Sequence, residues 1–289
     1  MSAVSPPSEA LAQAYAHCQT LTRDHDRDRW LAGLFAPAGA RPHLYALTAF
    51  AYEVGRLRDF LREPLAGEMR LEWWREALTG AGRGEVAGNP VAAALIDTIA
   101  RFGLPQGAFD NLISARMFDL YNDPMPNLND LEGYCGETCS LLFRLSTLIL
   151  GNGCDLGGAD AAGHAGVAYA MVGLMRSLPI TSARGQVYLP LDLLARHGAS
   201  PEDVVARRDT PALRAALAEL RGRARVHLRT AHDLIWTTPK EIAPAFLPLA
   251  YLPLYLARME RAHYAPFAAV VEAPQWRRQW ALWRAARAM

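Results

Sequence analysis

The stretch "FAYEVGRLRDFL", residues 50–61, packs four charge-handling side chains into a short helical run: Glu53, Arg56, Arg58 and Asp59. Two chemistries suit such residues. Carboxylates spaced four apart on one helix face can hold a divalent cation through hard oxygens. Guanidinium forks can grip phosphate oxygens with no metal. Glu53, Arg56 and Asp59 fall at i, i+3 and i+6, so Arg56 can pair with an acid on either side. Exposed pairs of this kind contribute only about 0.2–0.5 kcal/mol each. Lining a cavity, their mutual neutralisation would instead allow charge to be buried. The pattern is equally consistent with a structural ion-pair cluster and with a polar floor that binds a ligand headgroup.

Other chemical motifs are scarce. "DHDRD", residues 24–28, imitates the first half of a calcium loop, but the sixth position is Arg29 instead of Gly and the twelfth is Phe35 instead of Glu. Cys18, Cys135, Cys139 and Cys154 form no CxxC pair. Cys135 and Cys139 share a helical face, as two metal ligands would, but no His or second Cys pair completes a site, so they read as small packing residues. No P-loop, G-x-G-x-x-G, H-E-x-x-H or G-x-S-x-G occurs, and the eight histidines are scattered. A net charge of +1, from 30 Lys+Arg and 29 Asp+Glu, supplies no overall field for nucleic acid. The opening "MSAVSPPSEA" has no basic region followed by an apolar run, so no secretory signal is expected and cytoplasmic residence follows.

The elements that must position these residues are helical nearly throughout. Apolar residues recur at three and four, and Ala, Leu, Arg and Glu dominate. The periodicity predicts helices at 8–23, 41–62, 66–79, 90–102, 106–122, 129–150, 159–176, 210–236, 240–262 and 274–287. "GQVYLP", residues 185–190, is the one extended piece. Loops fall at "EPLAGE", "GAGRGEVAGNP", "NDPMPN" and "GNGCDLGG". Such short connections suit one all-α domain over residues 1–289. The longest apolar stretch, 242–257, is shorter than the roughly 20 residues of a spanning helix. Interrupted by Pro244, Pro248 and Pro253, it reads as a kinked, buried helix.

Three segments in order resemble landmarks of the squalene/phytoene synthase family. "LYALTAFAYEVGRLRD" is similar to its first motif helix, "YCGETCSLL" to its Tyr-Cys helix, and "LMRSLPITSARGQVYLPLDLLARHG" to its second motif and the segment that follows. The resemblance implies an isoprenoid-synthase-type helical bundle around a central apolar cavity. It also implies two facing aspartate-rich motifs that hold Mg2+ against the diphosphates of two prenyl donors, neutralising the departing pyrophosphate.

Matched residue by residue, those motifs are degenerate. The first, roughly D-D-x-x-D, falls on Gly55, Arg56, Leu57, Arg58 and Asp59, keeping one acid of three. The second, roughly R-D-x-x-E-D, falls on Arg176, Ser177, Leu178, Pro179, Ile180 and Thr181, keeping its arginine and no acid. Pro179 should also break the helix there. Two readings remain open. In one, the fold binds without catalysis, its Glu53, Arg56, Arg58, Asp59, Arg176, Arg184 and Tyr188 holding a prenyl phosphate or other anionic lipid with no cofactor. In the other, a prenyltransferase joins two prenyl diphosphates with Mg2+, using acids drawn from Glu53, Asp59, Asp119, Asp123 and Glu137. "EMRLEWWREAL" and the "RSLP" and "RGQVYLP" strings resemble the family branch that lacks the aspartates. That branch includes mitochondrial proteins assisting assembly of respiratory complex I and bacterial relatives, implying a respiratory-complex subunit as partner.

At the C-terminus, Trp276, Trp280 and Trp283 lie at i, i+4 and i+7, with Arg277, Arg278, Arg284 and Arg287 around them. A helix lying in a membrane interface has this pattern, which would place the protein peripherally on the inner face of the membrane. A helix docking its Trp stripe on the bundle has it too.

Overall fold

The computed structural model describes residues 8–61, 63–80 and 86–289, and no β-strand occurs among them. The last residue of the predicted 41–62 helix and residues 81–85 of the predicted "GAGRGEVAGNP" loop lie outside the described residues.

The first half begins with α1 (Glu9–His25), α2 (Arg27–Gly33) and α3 (Arg41–Gly55), followed by the single turn α4 (Leu57–Phe60) and by α5 (Pro64–Thr79). Next come α6 (Pro90–Phe102) and α7 (Gln106–Arg116), which runs into a 3-10 turn at Met117–Leu120. α6 matches its predicted bounds because its punctuation is complete. Asn89 caps the Ala92 N–H, Pro90 fits the first turn, and Gly103 takes the left-handed conformation (φ 59°) that ends the helix.

The predicted 129–150 helix is a composite of α8 (Leu128–Cys135), a π-helical turn (Gly136–Ser140) and α9 (Leu141–Leu150). α10 (Ala159–Arg176) follows as predicted and stops at Ser177. The chain restarts as α11 (Leu178–Ala183), with Pro179 in its first turn where no N–H is missed. Residues 186–190 are extended, and the Val187 carbonyl accepts from the Met125 N–H at 3.0 Å. Two short helices, α12 (Leu191–Arg196) and α13 (Pro201–Val205), precede α14 (Pro211–Ile235).

The apolar stretch at 242–257 is a 3-10 helix (Lys240–Tyr251) containing Pro244 and Pro248, continued by α15 (Leu252–Met259). By length and composition it could cross a membrane, yet 67% of its most apolar window is buried in the protein, as a core helix would be. α16 (Gln275–Ala288) closes the chain.

Two cores result. One gathers α10, α14 and α15 around Met171, Leu217, Tyr251 and Tyr255. The other gathers α1, α3, α6 and α7 around Phe50, Trp74, Leu95 and Phe109. α9 forms the seam between them, with Phe143 in the first core and Leu142, Leu145 and Ile149 in the second.

A buried polar contact crosses the second core. The Tyr15 hydroxyl donates to Asp97 (2.5 Å) and the Thr98 hydroxyl to the Ala94 carbonyl (2.8 Å), so their oxygens are left as acceptors for His43 Nδ1–H, 2.9 Å from each. At pH 7 His43 is neutral. Burial, with Arg101 nearby, pushes it down to about 4. Because the unfolded chain takes up a proton that the native one refuses, this contribution is complete above about pH 6.5 and is lost as pH falls toward 4. Urea unfolding should show roughly 2–3 kcal/mol less stability at pH 4 than at pH 7 from this group, a slope that His43→Gln should flatten.

Candidate functional site

The second and third landmark segments meet at Asp119, and the first ends beside its partner Arg116. Asp119 Oδ2 accepts from Arg116 Nη1 at 2.9 Å, while Oδ1 accepts from the hydroxyls of Tyr134 (2.8 Å) and Tyr188 (2.6 Å). Arg116 Nη1 also donates to the Tyr134 oxygen at 2.8 Å, and Gln186 Nε2 donates to the Asp119 carbonyl at 2.9 Å. Tyr134 comes from α8, Tyr188 and Gln186 from the extended segment, and Arg116 from the end of α7. The end of α3 completes the enclosure: a Cβ built on Gly55 would lie 3.4 Å from the Arg116 guanidinium carbon. Burial pushes the Tyr134 and Tyr188 hydroxyls well above the usual phenol range, so both stay protonated and donate. Burial works to discharge Arg116, but the Tyr134 hydroxyl oxygen that accepts from Nη1 and the Asp119 carboxylate beside it hold its proton above the ordinary arginine range.

The two degenerate motifs also meet directly. Asp59, the surviving acid of the first, pairs with Arg184, which follows the second. Arg58 donates to Asn122 at 3.3 Å. Ser177 caps the end of α10 and donates to the Leu174 carbonyl at 3.1 Å. The Thr181 hydroxyl turns back to the Ser177 carbonyl at 3.3 Å.

Two expectations need correction. Arg56 does not bridge Glu53 and Asp59. α3 ends at Gly55 and Arg56 leaves helical geometry (φ −107°, ψ 8°), so the i+3 relation to Asp59 is broken. Arg56 instead stacks over Phe60 (3.8 Å) and Tyr52 (4.5 Å) and donates to the Tyr52 hydroxyl, while Glu53 has Arg70 at 3.9 Å. Nor do the four arginines form one anion site. Arg176 Nε donates to the Val271 carbonyl at 2.9 Å, and its guanidinium lies 3.7 Å over the Tyr255 ring and 3.5 Å from Glu272. Tyr188 is committed to Asp119. The remaining members have other partners: Arg184 pairs with Asp59, Arg58 donates to Asn122, and Arg56 lies on its aromatic neighbours.

The residues present do not fit the magnesium that the fold family implies. Glu53, Asp59 and Asp119 are each engaged by an arginine, Asp123 is exposed, and Glu137 is half-buried on the π turn. Among the described residues no three His, Cys, Asp or Glu side chains gather as ligands. The calcium-like "DHDRD" is structural: Asp26 caps α2, and Asp28 accepts from the Tyr255 hydroxyl and, at 2.8 Å, from Arg278.

Space is distributed unevenly. The cavity among α2, α3, α9 and the 3-10 helix, lined by Arg29, Thr48, Phe143 and Ser146, is about 40 Å³, room for about one water. A solvent-open groove of about 660 Å³ lies beside the first motif, between Arg56, Phe60, Met69, Arg70 and Trp73.

The C-terminal helix docks, but not by its tryptophans. Leu282 is buried, Ala285, Ala286 and Met289 pack on the first core, and Arg278 reaches Asp28. Trp276, Trp280 and Trp283 are 64%, 56% and 41% exposed on the opposite side, with Arg277 and Arg284 beside them. Docking through the Trp stripe is thereby corrected.

Arg116 is the residue that motif matching missed. Its signal was an arginine three residues before an acid in the otherwise apolar end of the 106–122 helix.

The squalene/phytoene synthase family model matches residues 22–284. Human NADH dehydrogenase (ubiquinone) complex I, assembly factor 6 is 30% identical over 251 residues, covering 87% of this chain and 75% of the relative. Phytoene synthase of Thermus thermophilus is 31% identical over 217 residues, covering 72% and 70%. The crystal structure of squalene synthase HpnC from Alicyclobacillus acidocaldarius superposes with a TM-score of 0.76 at 28% identity, covering 91% of this chain and 98% of that one. The fold is therefore of the isoprenoid-synthase type.

Proposed function

Because the chain belongs to the squalene/phytoene synthase family while its motif positions keep a single acid, Asp59, engaged by Arg184, we propose that it is a non-catalytic member acting as an assembly factor for a respiratory complex. The observation that carries this reading is the pair of guanidiniums at the motif positions. Arg116 lies against Gly55, and Arg184 holds Asp59. A divalent cation gathered there would face fixed positive charge in place of ligand oxygens. Similarity to complex I assembly factor 6 over 87% of this chain and 75% of the relative supports the assembly role. The groove beside Arg56 would give a respiratory-complex subunit or an isoprenoid or other anionic lipid an apolar wall, Phe60, Met69 and Trp73, flanked by Arg56 and by the Arg70–Glu53 pair.

Two measurements separate this from synthase activity. Incubated with farnesyl or geranylgeranyl diphosphate and Mg2+, the protein should release no pyrophosphate above a protein-free control. Deleting its gene should lower the amount of intact NADH dehydrogenase complex on native gels, with recovery on re-expression. Steady pyrophosphate release, or unchanged complex in the deletion, rejects the reading.

A further inference from the structure

α16 carries Arg277, Arg278, Arg284 and Arg287 and no acid. Its buried side is fixed by Leu282 and by the Arg278–Asp28 pair, so the opposite side is presented by a docked, rigid element. On that side Trp280 and Trp283 stack at 5.0 Å, Arg287 lies 4.4 Å from the Trp283 ring, and Arg277 lies 5.1 Å from the Trp276 ring. Indoles and guanidiniums thus stand at one level. A groove of about 610 Å³ runs beneath Trp276 and Trp280 along Pro253 and Leu254. A second groove, of about 340 Å³, joins the end of α16 to Trp236, which is 71% exposed at the end of α14 and neighboured by Lys240. Four exposed tryptophans around one helix exceed what a solvated surface carries without a purpose.

We propose that this face seats the protein on an anionic lipid bilayer, tryptophans at headgroup depth and arginines against lipid phosphates. Charge decides the occupant. Arg277, Arg284 and Arg287 are exposed on a helix that carries no acid, which makes this face complementary to an anionic surface, and indoles prefer the headgroup layer. Asp233 and Glu241 are exposed near Trp236, so attraction is carried by α16 and that corner adds mainly apolar contact. The proposal is independent of what the motif face binds.

The test is co-sedimentation of the full chain with vesicles of phosphatidylcholine alone and of phosphatidylcholine with phosphatidylglycerol. Binding should require phosphatidylglycerol, weaken with salt, and shift indole emission to the blue. Each arginine near the surface strengthens attachment about fivefold, so Arg277→Gln/Arg284→Gln/Arg287→Gln should lower the vesicle partition constant about a hundredfold. Trp276→Ser/Trp280→Ser/Trp283→Ser should abolish the emission shift and most binding. All six positions are exposed, so both variants should keep the parent's far-UV circular dichroism and melting temperature. No sedimentation by the parent, undiminished binding by the two folded variants, or a dimer lost in the Trp variant without any vesicle binding would overturn the proposal.

Discussion

Arg116→Met should lower the stability of the fold by about 3–5 kcal/mol, the loss typical of breaking a buried ion pair from one side. Methionine keeps much of the arginine stem's volume, so the loss is chiefly electrostatic. What remains is Asp119, buried, with the Tyr134 and Tyr188 hydroxyls as donors and no cation. Asp119→Asn should cost a comparable amount by stranding the guanidinium. Because the two residues share one network, Arg116→Met/Asp119→Asn should lose clearly less than the sum of the single losses. Urea unfolding of the four proteins gives the coupling directly. A loss below about 1 kcal/mol for Arg116→Met would mean that water already serves this site, and the account of it as a buried, closed ion pair would fail.

Gly166→Val should be more damaging than ordinary overpacking, which costs about 1–3 kcal/mol, because the obstacle is main chain. A Cβ at Gly166 would stand 2.1 Å from both Cα and N of Ser140 and 2.4 Å from its Oγ. Ser140 ends the π turn, and its hydroxyl donates to the Gly163 carbonyl of α10 at 2.7 Å. The extra residue of the π turn and the bare face of α10 therefore fit together as one close helix approach. Prying them apart would also displace α8, and with it Tyr134. Gly163, one turn earlier on α10, has no atom within 4 Å of its virtual Cβ. Gly163→Ala should accordingly be neutral or stabilising by up to about 1 kcal/mol. If Gly166→Val melted like the Gly163→Ala protein, the close approach would not exist.

Much of the fold was legible in the sequence because its long helices carry their own punctuation. The 90–102 and 159–176 predictions coincide with α6 and α10, each ended by local chemistry: Gly103 after the first, Ser177 and Pro179 after the second. Short helices were missed. α2 starts at an Asp26 cap hidden inside a calcium-like string, and α11, α12 and α13 are too short for a 3.6-residue period to declare itself. The composite at 128–150 read as one helix because a π turn adds a residue without changing residue type. Within the site, Asp119 stands out as an acid, whereas Arg116 shows only as an arginine three residues before it, a spacing that exposed helix ion pairs share.

The sequence by itself determined that the chain is a helical bundle of this family and that carboxylates are missing at Gly55, Arg56, Ser177, Ile180 and Thr181, because folding cannot restore an absent ligand. Only the tertiary structure decided which cation meets which acid. Arg184 reaches Asp59 across 125 positions of chain, Arg116 moves into the space beside Gly55, and Arg56 turns away from both neighbouring acids where its helix ends. The tertiary structure likewise turned the Trp stripe of α16 outward, since the docked side was chosen by Leu282 and by Asp28, a partner 250 positions away. Helical period states which side chains share a face; what that face meets depends on how helices remote in sequence pack.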